Sequence, residues 1–381
     1  MPKINVLEPK VFNQIAAGEV VERPASIVKE LVENSIDAGA SRISVEIFDG
    51  GISKILISDN GCGIAADDME LAFLPHATSK ISDITDIFDL STLGFRGEAL
   101  ASIASVTRIE VTSKTTEGKG HTIKLEGGKI LATGEKGSPI GTYFCVQDLF
   151  FNTPARQKFL KQPKKEESEI TSLMTRLILA NPNIAFRYTA DGREILSSTG
   201  RGIEEAICAI YGTKILENLV PIDYVDGDYS IKGYIGKTSF SKSNRTYQTT
   251  IINGRWVADS MVSIAISQSY ESYMMKHCFP FCVIYFDLPK DQLDVNVHPN
   301  KLEVRFHSKK VFGFVYHAIS TSLLDDLSKK TRQEVELPYS RPVLFNDPAK
   351  LSSTPNEVTS SNPAETANFG TISANPSQSQ Q

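Results

Sequence analysis

The clearest pattern along the chain lies between Ser26 and Gly39. Ile27, Val28, Leu31, Val32 and Ile36 recur there at spacings of three to four, which marks one apolar face of a helix. Pro24 stands where a first helical turn needs no N–H, and Gly39 supplies a stop. Ile43, Val45 and Ile47 then alternate along a strand over 42–48. Gly50-Gly51 makes a turn into a second strand over 53–58, predicting an antiparallel hairpin. Further strands are expected over 107–113, 121–125, 129–132 and 141–146, with a hairpin over 186–190 and 193–197 across Asp191-Gly192. Helices are expected over 67–73, 98–105 and 164–180, the last with a polar, solvent-facing first half. The later chain reads as a helix over 203–210 and strands over 230–236, 247–252, 281–288 and 294–297. Two more helices follow there: 260–275, with Ile264 and Ala265 backed by Tyr270 and Met274, and 309–327, with Phe312, Val315, Ile319, Leu323 and Leu324 on one side. Sheets covered on one face by helices make an α+β arrangement. It divides into 1–202, 203–330 and a Ser-, Pro- and Asn-rich tail over 331–381 that is expected to be a disordered linker.

Composition narrows the classes. The 381 residues are 41% apolar, ample for substantial cores. No run of 18 uncharged apolar residues appears, so no membrane helix is expected, and MPKINVLEPK lacks the apolar core of a secretory signal. Five cysteines give no disulfide framework, which fits a reducing cytoplasm. His277, Cys278 and Cys282 have no second pair and do not read as a metal site. The net charge of −5 argues against a general DNA coater, so any DNA contact must come from a local patch. Arg156, Lys158, Lys161, Lys237, Lys242 and Arg245 are the candidates.

Some residues suggest chemistry. Glu30 and Asn34 are four apart and leave one helix face, which suits a general base beside a magnesium ligand, or simply a solvated polar face. Asp59, in Asp59-Asn60-Gly61-Cys62-Gly63, is an acceptor at a strand end. It suits an exocyclic amine, although the same five residues fit an ordinary turn. Thr78, Ser79 and Lys80 could reach phosphates or line a solvated loop. Gly94 and Gly97 bracket a turn, and the helix that follows offers backbone N–H groups to phosphate. The lysine–serine pattern of a P-loop is absent.

One ordered set of segments goes further: NQIAAGEVVERPASIVKELVENSIDAGA, DNGCGI, HATSKI, LGFRGEAL, GTYFCVQDLFFNTPARQKFL and DVNVHPNKLEVRF. Over residues 13–327 the chain resembles the N-terminal ATPase region of MutL-type DNA mismatch repair proteins, members of the GHKL superfamily with type II topoisomerases, heat-shock chaperones and sensor histidine kinases. The resemblance implies a GHKL α/β sandwich followed by a smaller α/β domain of the ribosomal protein S5 domain 2-like type. It implies Glu30 as the base, Asn34 as the magnesium holder, Asp59 on the adenine amine, Gly63 in the base pocket and Ala38 among the nucleotide-binding residues. Thr78, Ser79 and Lys80, with Gly94, Phe95, Arg96, Gly97, Glu98, Ala99 and Leu100, would wrap the triphosphate. Thr142 matches the last nucleotide motif, and Lys301 would reach the γ-phosphate from the second domain. Asn300 stands where many relatives carry alanine or threonine, and the departure leaves the lysine in place.

The implied activity is slow magnesium-dependent ATP hydrolysis with ATP-driven homodimerisation. The implied partners are DNA, a MutS-type mismatch recognition protein and a downstream endonuclease or helicase, in the cytoplasm or on a bacterial nucleoid. A non-hydrolysing ATP-binding module is the alternative. It would be expected to lack Glu30 or Asn34, and both are present. No tyrosine-cleavage or phosphoacceptor domain is recognisable, against a topoisomerase or a histidine kinase. The family's C-terminal dimerisation domain is not recognisable in these residues, so the chain is expected to be part of a longer protein or a short member.

Overall fold

The computed structural model describes residues 20–79, 97–289, 293–294, 305–306 and 310–335. Helix α1 (Pro24–Asp37) begins with its proline in the first turn, as the pattern predicts. It buries Ile27, Val28, Leu31 and Val32 and, on the same face, Ser35. Strands β1 (Arg42–Phe48) and β2 (Lys54–Asp59) form the expected antiparallel hairpin, with Val45 opposite Ile57. The short helix α2 (Asp68–Leu71) and helix α3 (Ala99–Val106) precede β3 (Arg108–Lys114), β4 (His121–Glu126), β5 (Lys129–Glu135) and β6 (Gly141–Gln147). One turn, α4 (Pro154–Gln157), and the long α5 (Pro163–Ala180) lead into the hairpin β7 (Ala185–Ala190) and β8 (Arg193–Thr199).

These strands make one eight-stranded sheet in the order β5-β4-β3-β6-β2-β1-β7-β8. Its pairs are antiparallel except β1 with β7. Alternate residues such as Ile43, Val45, Ile55, Ile57, Ile109, Val111 and Phe144 form a buried core with α1, Ile103 of α3, and Ile170, Met174 and Ile178 of α5. Burying such a side chain stabilises the fold by roughly 1.5–3 kcal/mol, so this face decides the register. On the other face Glu46, Lys54 and Glu110 stay half-buried and Tyr143 is exposed.

The first turn of α5 corrects one expectation. Glu166 is 1% exposed and Glu167 8%, so these two carboxylates are packed inward, while Lys164, Lys165 and Ser168 face solvent as expected. The helix start lies against the β1–β2 turn, where a Cβ on Gly50 would sit 2.3 Å from the Pro163 carbonyl oxygen. Glu166 Oε1 accepts the Lys161 N–H at 3.0 Å, and Glu167 Oε1 accepts from Lys164 Nζ at 2.9 Å. Each carboxylate thus has one oxygen paired by a group close in sequence, while Glu166 Oε2 is buried without a hydrogen-bond partner.

Helix α6 (Ile203–Tyr211) leads to a second sheet made of β9 (Leu219–Asp226), β10 (Tyr229–Gly236), β12 (Gln248–Ile252), β13 (Arg255–Trp256) and β15 (Cys282–Asp287), ordered β13-β12-β15-β10-β9. The short pairs β11 (Ser241–Lys242) with β14 (Phe279–Pro280), and β16 (Leu293–Asp294) with β17 (Arg305–Phe306), lie outside it. Helices α7 (Ser260–Ser269) and α8 (Lys310–Val335) build its second core, in which Val262, Ile266, Val315, Ile319 and Leu323 meet Ile222, Ile231, Ile284 and Phe286.

Three differences from the pattern are physical. β9 is an edge strand interrupted by Pro221, which weakens its signal. α7 ends at Ser269, where the next residue, Tyr270, turns in and donates its buried hydroxyl to Gly236 O at 2.6 Å. Ile264 is left 46% exposed. α8 runs past 327 to Val335, and Phe314 and Ala318 take core places while Leu324 is 58% exposed. Of the strand expected over 294–297, only Asp294 lies within the described residues.

The described residues through Gln333 form one compact unit. Within it α5 touches both sheets: Arg176 stacks 4.0 Å over Trp256, and the Leu179 carbonyl accepts the Tyr285 hydroxyl. Among the described residues no helix is long and apolar enough to cross a membrane.

Candidate nucleotide site

Asp59 ends β2 on the main sheet and is half-buried. Its carboxylate is held from three elements. Ser35 Oγ of α1 donates to Oδ2 at 2.8 Å, the Gly61 N–H of the following loop to Oδ1 at 2.8 Å, and the Thr142 N–H of β6 to Oδ1 at 3.3 Å. Burial pushes the Asp59 pKa above the ordinary carboxylate value, against the pull of these three hydrogen bonds. A carboxylate has about four acceptor sites, so one remains for an incoming donor.

The backbone around it is tightly packed. Gly63 has φ 76°, and a Cβ there would lie 2.2 Å from the Lys114 carbonyl oxygen, so the loop presses onto the end of β3. The Ala38 carbonyl accepts the Cys62 N–H at 3.0 Å, which ties the end of α1 to the same loop. Thr142 is buried, its hydroxyl 2.9 Å from Ser113 Oγ, and Ser113 also receives the Ile64 N–H at 2.8 Å. Asp59, Ala38, Gly63 and Thr142 are thus brought together.

Glu30 and Asn34 share the half-buried polar side of α1, opposite Leu31 and Val32. Glu30 Oε1 lies 3.1 Å from Lys29 Nζ, and the same ammonium lies 3.1 Å from Glu33 Oε2. Burial works to lower the Lys29 pKa, but Glu33 and Glu30 outweigh it and the net shift is upward. Glu30 is 27% exposed and therefore reachable by water.

Lys80, Gly94, Phe95 and Arg96 lie outside the described residues, as does Lys301. The flanks of the 80–96 segment meet. Gly97 has φ 64°, and a Cβ there would lie 2.5 Å from the Ala77 carbonyl oxygen, while His76 Nδ1 is 3.3 Å from Glu98 Oε1. Thr78 is half-buried beside this junction and Ser79 is exposed. Glu98 occupies the N-cap of α3 without a side-chain cap bond, and Ala99 and Leu100 begin that helix.

Two family models match the chain. One, described as a histidine kinase-, DNA gyrase B- and HSP90-like ATPase, covers residues 22–149, and the other, a DNA mismatch repair protein C-terminal domain, covers 207–324. The MutL protein of Clostridium botulinum is 44% identical over 330 residues, covering 86% of this chain and 49% of that protein. That of Clostridium tetani is 46% identical over 318 residues, covering 83% and 51%. The chain belongs to the MutL family of DNA mismatch repair proteins.

It spans about half the length of the curated MutL relatives it matches. Among solved structures, the N-terminal domain of a DNA repair protein superposes with a TM-score of 0.70 at 28% identity, covering 86% of this chain and 99% of that one. The Aquifex aeolicus MutL ATPase domain complexed with ADP gives 0.55 at 29% identity, covering 71% and 93%. The GHKL-type ATPase fold and the second α/β domain of a MutL chain are therefore both present.

The sequence pattern overlooks Ser35 and Ser113. Ser35 does leave a signal, because it falls four residues after Leu31 on the buried face of an otherwise apolar stripe. Ser113 leaves none, since a serine at a strand end is ordinary.

The cationic candidates for DNA separate. Arg156 is drawn inward, donating Nη2 to the Val21 carbonyl at 2.9 Å and stacking 4.7 Å over Phe150. Lys161 pairs with Glu169 at 3.1 Å, and Lys237 donates to the Glu217 carbonyl. Lys242 lies 4.3 Å from the Phe240 ring centre, and Arg245 5.1 Å from that of Phe279. No cluster of three or more His, Cys, Asp or Glu that could hold a metal occurs among the described residues.

Proposed function

We propose that this chain binds ATP with magnesium, hydrolyses it slowly and pairs with a second copy when nucleotide is bound. The observation that supports this reading best is Asp59. It is a half-buried carboxylate held by three donors with one acceptor site left, beside a loop whose glycines lie against neighbouring backbone. An adenine amine is the donor that suits it.

In this reading Glu30 takes a proton from an attacking water. The amide oxygen of Asn34 is a hard, neutral donor, which fits magnesium if phosphate and water complete its shell. Bound magnesium would neutralise phosphate charge. Thr78 to Lys80 and Gly94 to Leu100 contact the triphosphate, and Lys301 adds a charge at the γ-phosphate. The nucleotide domain spans 1–202, the second domain 203–330, and 331–381 serves as a linker. DNA, a MutS-type protein and a downstream endonuclease or helicase are the proposed partners, in the cytoplasm.

Titration with ATP, a phosphate-release assay and sedimentation with and without a nonhydrolysable analogue test this. Binding and release in the wild type support it, and absence of ATP binding refutes it. A non-hydrolysing module is the second reading, favoured by the Lys29 ammonium on Glu30 Oε1. Tight binding without phosphate release would select it.

A further inference from the structure

The Ser35 hydroxyl has one proton and two acceptors within reach, Leu31 O at 3.1 Å and Asp59 Oδ2 at 2.8 Å. The Leu31 carbonyl already receives the helical N–H four residues on. An ionised carboxylate can only accept, so the proton belongs to Asp59. Ser35 is 2% exposed, which leaves no water to substitute for it.

Asp59 Oδ1 is already filled by the N–H groups of Gly61 and Thr142. The remaining acceptor site is therefore on Oδ2, the oxygen that Ser35 holds. Gly141 closes the other side: its φ is 118°, and a Cβ there would lie 2.1 Å from the Asp59 carbonyl oxygen. The backbone is fixed, and the hydroxyl fixes the carboxylate plane on it.

We infer that Ser35 is the positioning residue for base selection, aiming the last acceptor site of Asp59 at the exocyclic amine of adenine. The inference rests on the proposed role of Asp59. A base that offers a carbonyl at that place would face the carboxylate with like polarity, and one that offers only C–H would leave the acceptor unpaired. Without the Ser35 donor, Oδ2 has two open sites and the carboxylate is free to turn toward water, so its preference for an amine weakens.

The test compares ATP with purine riboside triphosphate, which lacks the amine, by direct titration of the full chain. Ser35→Ala keeps helix propensity; the hydroxyl already holds Asp59 in the ligand-free protein, so only the lost orientation reaches binding, and ATP affinity should fall roughly threefold to tenfold. Affinity for the amine-free analogue should change by less than about twofold, and Ser35→Thr should restore the preference. Should the alanine variant not fold, Ser35→Cys keeps the volume with a weaker donor and should move the preference the same way.

Equal loss for both nucleotides would mean a packing defect and overturn the inference, as would an unchanged preference. Asp59→Asn separates this from failure of the underlying reading. If that variant keeps the full preference for ATP, Asp59 does not read the base. If it loses the preference while Ser35→Ala keeps it, only the Ser35 inference fails.

Discussion

The surroundings of the C-terminal end of α1 and of its middle are built differently. At its C-terminal end Asp59 is gripped by α1, β6 and a loop, through donors that come from positions 24 and 83 residues away as well as next door. Near its middle, Glu30 is held by its own neighbour, Lys29, and Lys29 by Glu33 one turn on. A group fixed by tertiary packing is preorganised before ligand arrives. A group held by local ion pairs at a quarter exposure can exchange partners at little cost, because such pairs are worth under about 1 kcal/mol. The proposed base-recognition end is thus set in advance by distant donors, whereas Glu30 is paired by a neighbour on its own helix.

The largest effect should come from removing the group at the middle of α1. Glu30→Ala should lower phosphate release roughly 100- to 10,000-fold while ATP affinity stays within about twofold. A folded variant with wild-type turnover would remove the chemical role from this part of α1 altogether.

Next, Asp59→Asn should weaken ATP binding roughly tenfold to hundredfold in a titration. The pH profile sharpens the point. An amine donor needs the ionised carboxylate, so affinity falls on acidification as Asp59 takes up a proton. Because burial has raised its pKa, this loss should begin above the pH expected of an ordinary aspartate. The asparagine variant should show a flatter profile; an identical profile would assign the titration to another group.

A smaller effect tests the packing itself. Gly63 and Gly39 both have positive φ, 76° and 71°, but only Gly63 has backbone in the way. Gly39→Ala should lower stability by about 1–2 kcal/mol, the cost of a left-handed backbone for an L-residue. Gly63→Ala should lower it further, since the Lys114 carbonyl must also move. Equal midpoints in denaturant for the two variants would mean that the loop yields freely and the preorganised end is softer than described.

The smallest change is expected from Lys29→Met. It removes two partly exposed ion pairs and should shift stability by less than about 1 kcal/mol. Phosphate release should change more than ATP affinity, because Lys29 touches Glu30 and none of the groups that hold Asp59. A loss of affinity larger than the loss of turnover would show that the two regions are not independent.

Much of this was legible in the order of residues. Period-four and period-two patterns locate α1, the β1–β2 hairpin and the β7–β8 hairpin, because one buried face imposes its spacing on the chain. Glu30, Asn34 and Asp59 stand out because a carboxylate or amide at those spacings has a chemical use, and the family follows from the ordered motifs around them. Only the tertiary structure decided where buried polar groups find partners. Glu166 and Glu167 read as solvent-facing yet are packed under the Gly50 turn, and Ser35 looks like a gap in an apolar stripe yet donates to Asp59. Local pattern records whether a side chain is polar. Whether a buried polar side chain is tolerated depends on the donor or acceptor that folding brings to it, from the same turn for Glu166 and Glu167 and from a separate strand for Ser35, and the polar–apolar pattern does not record that partner.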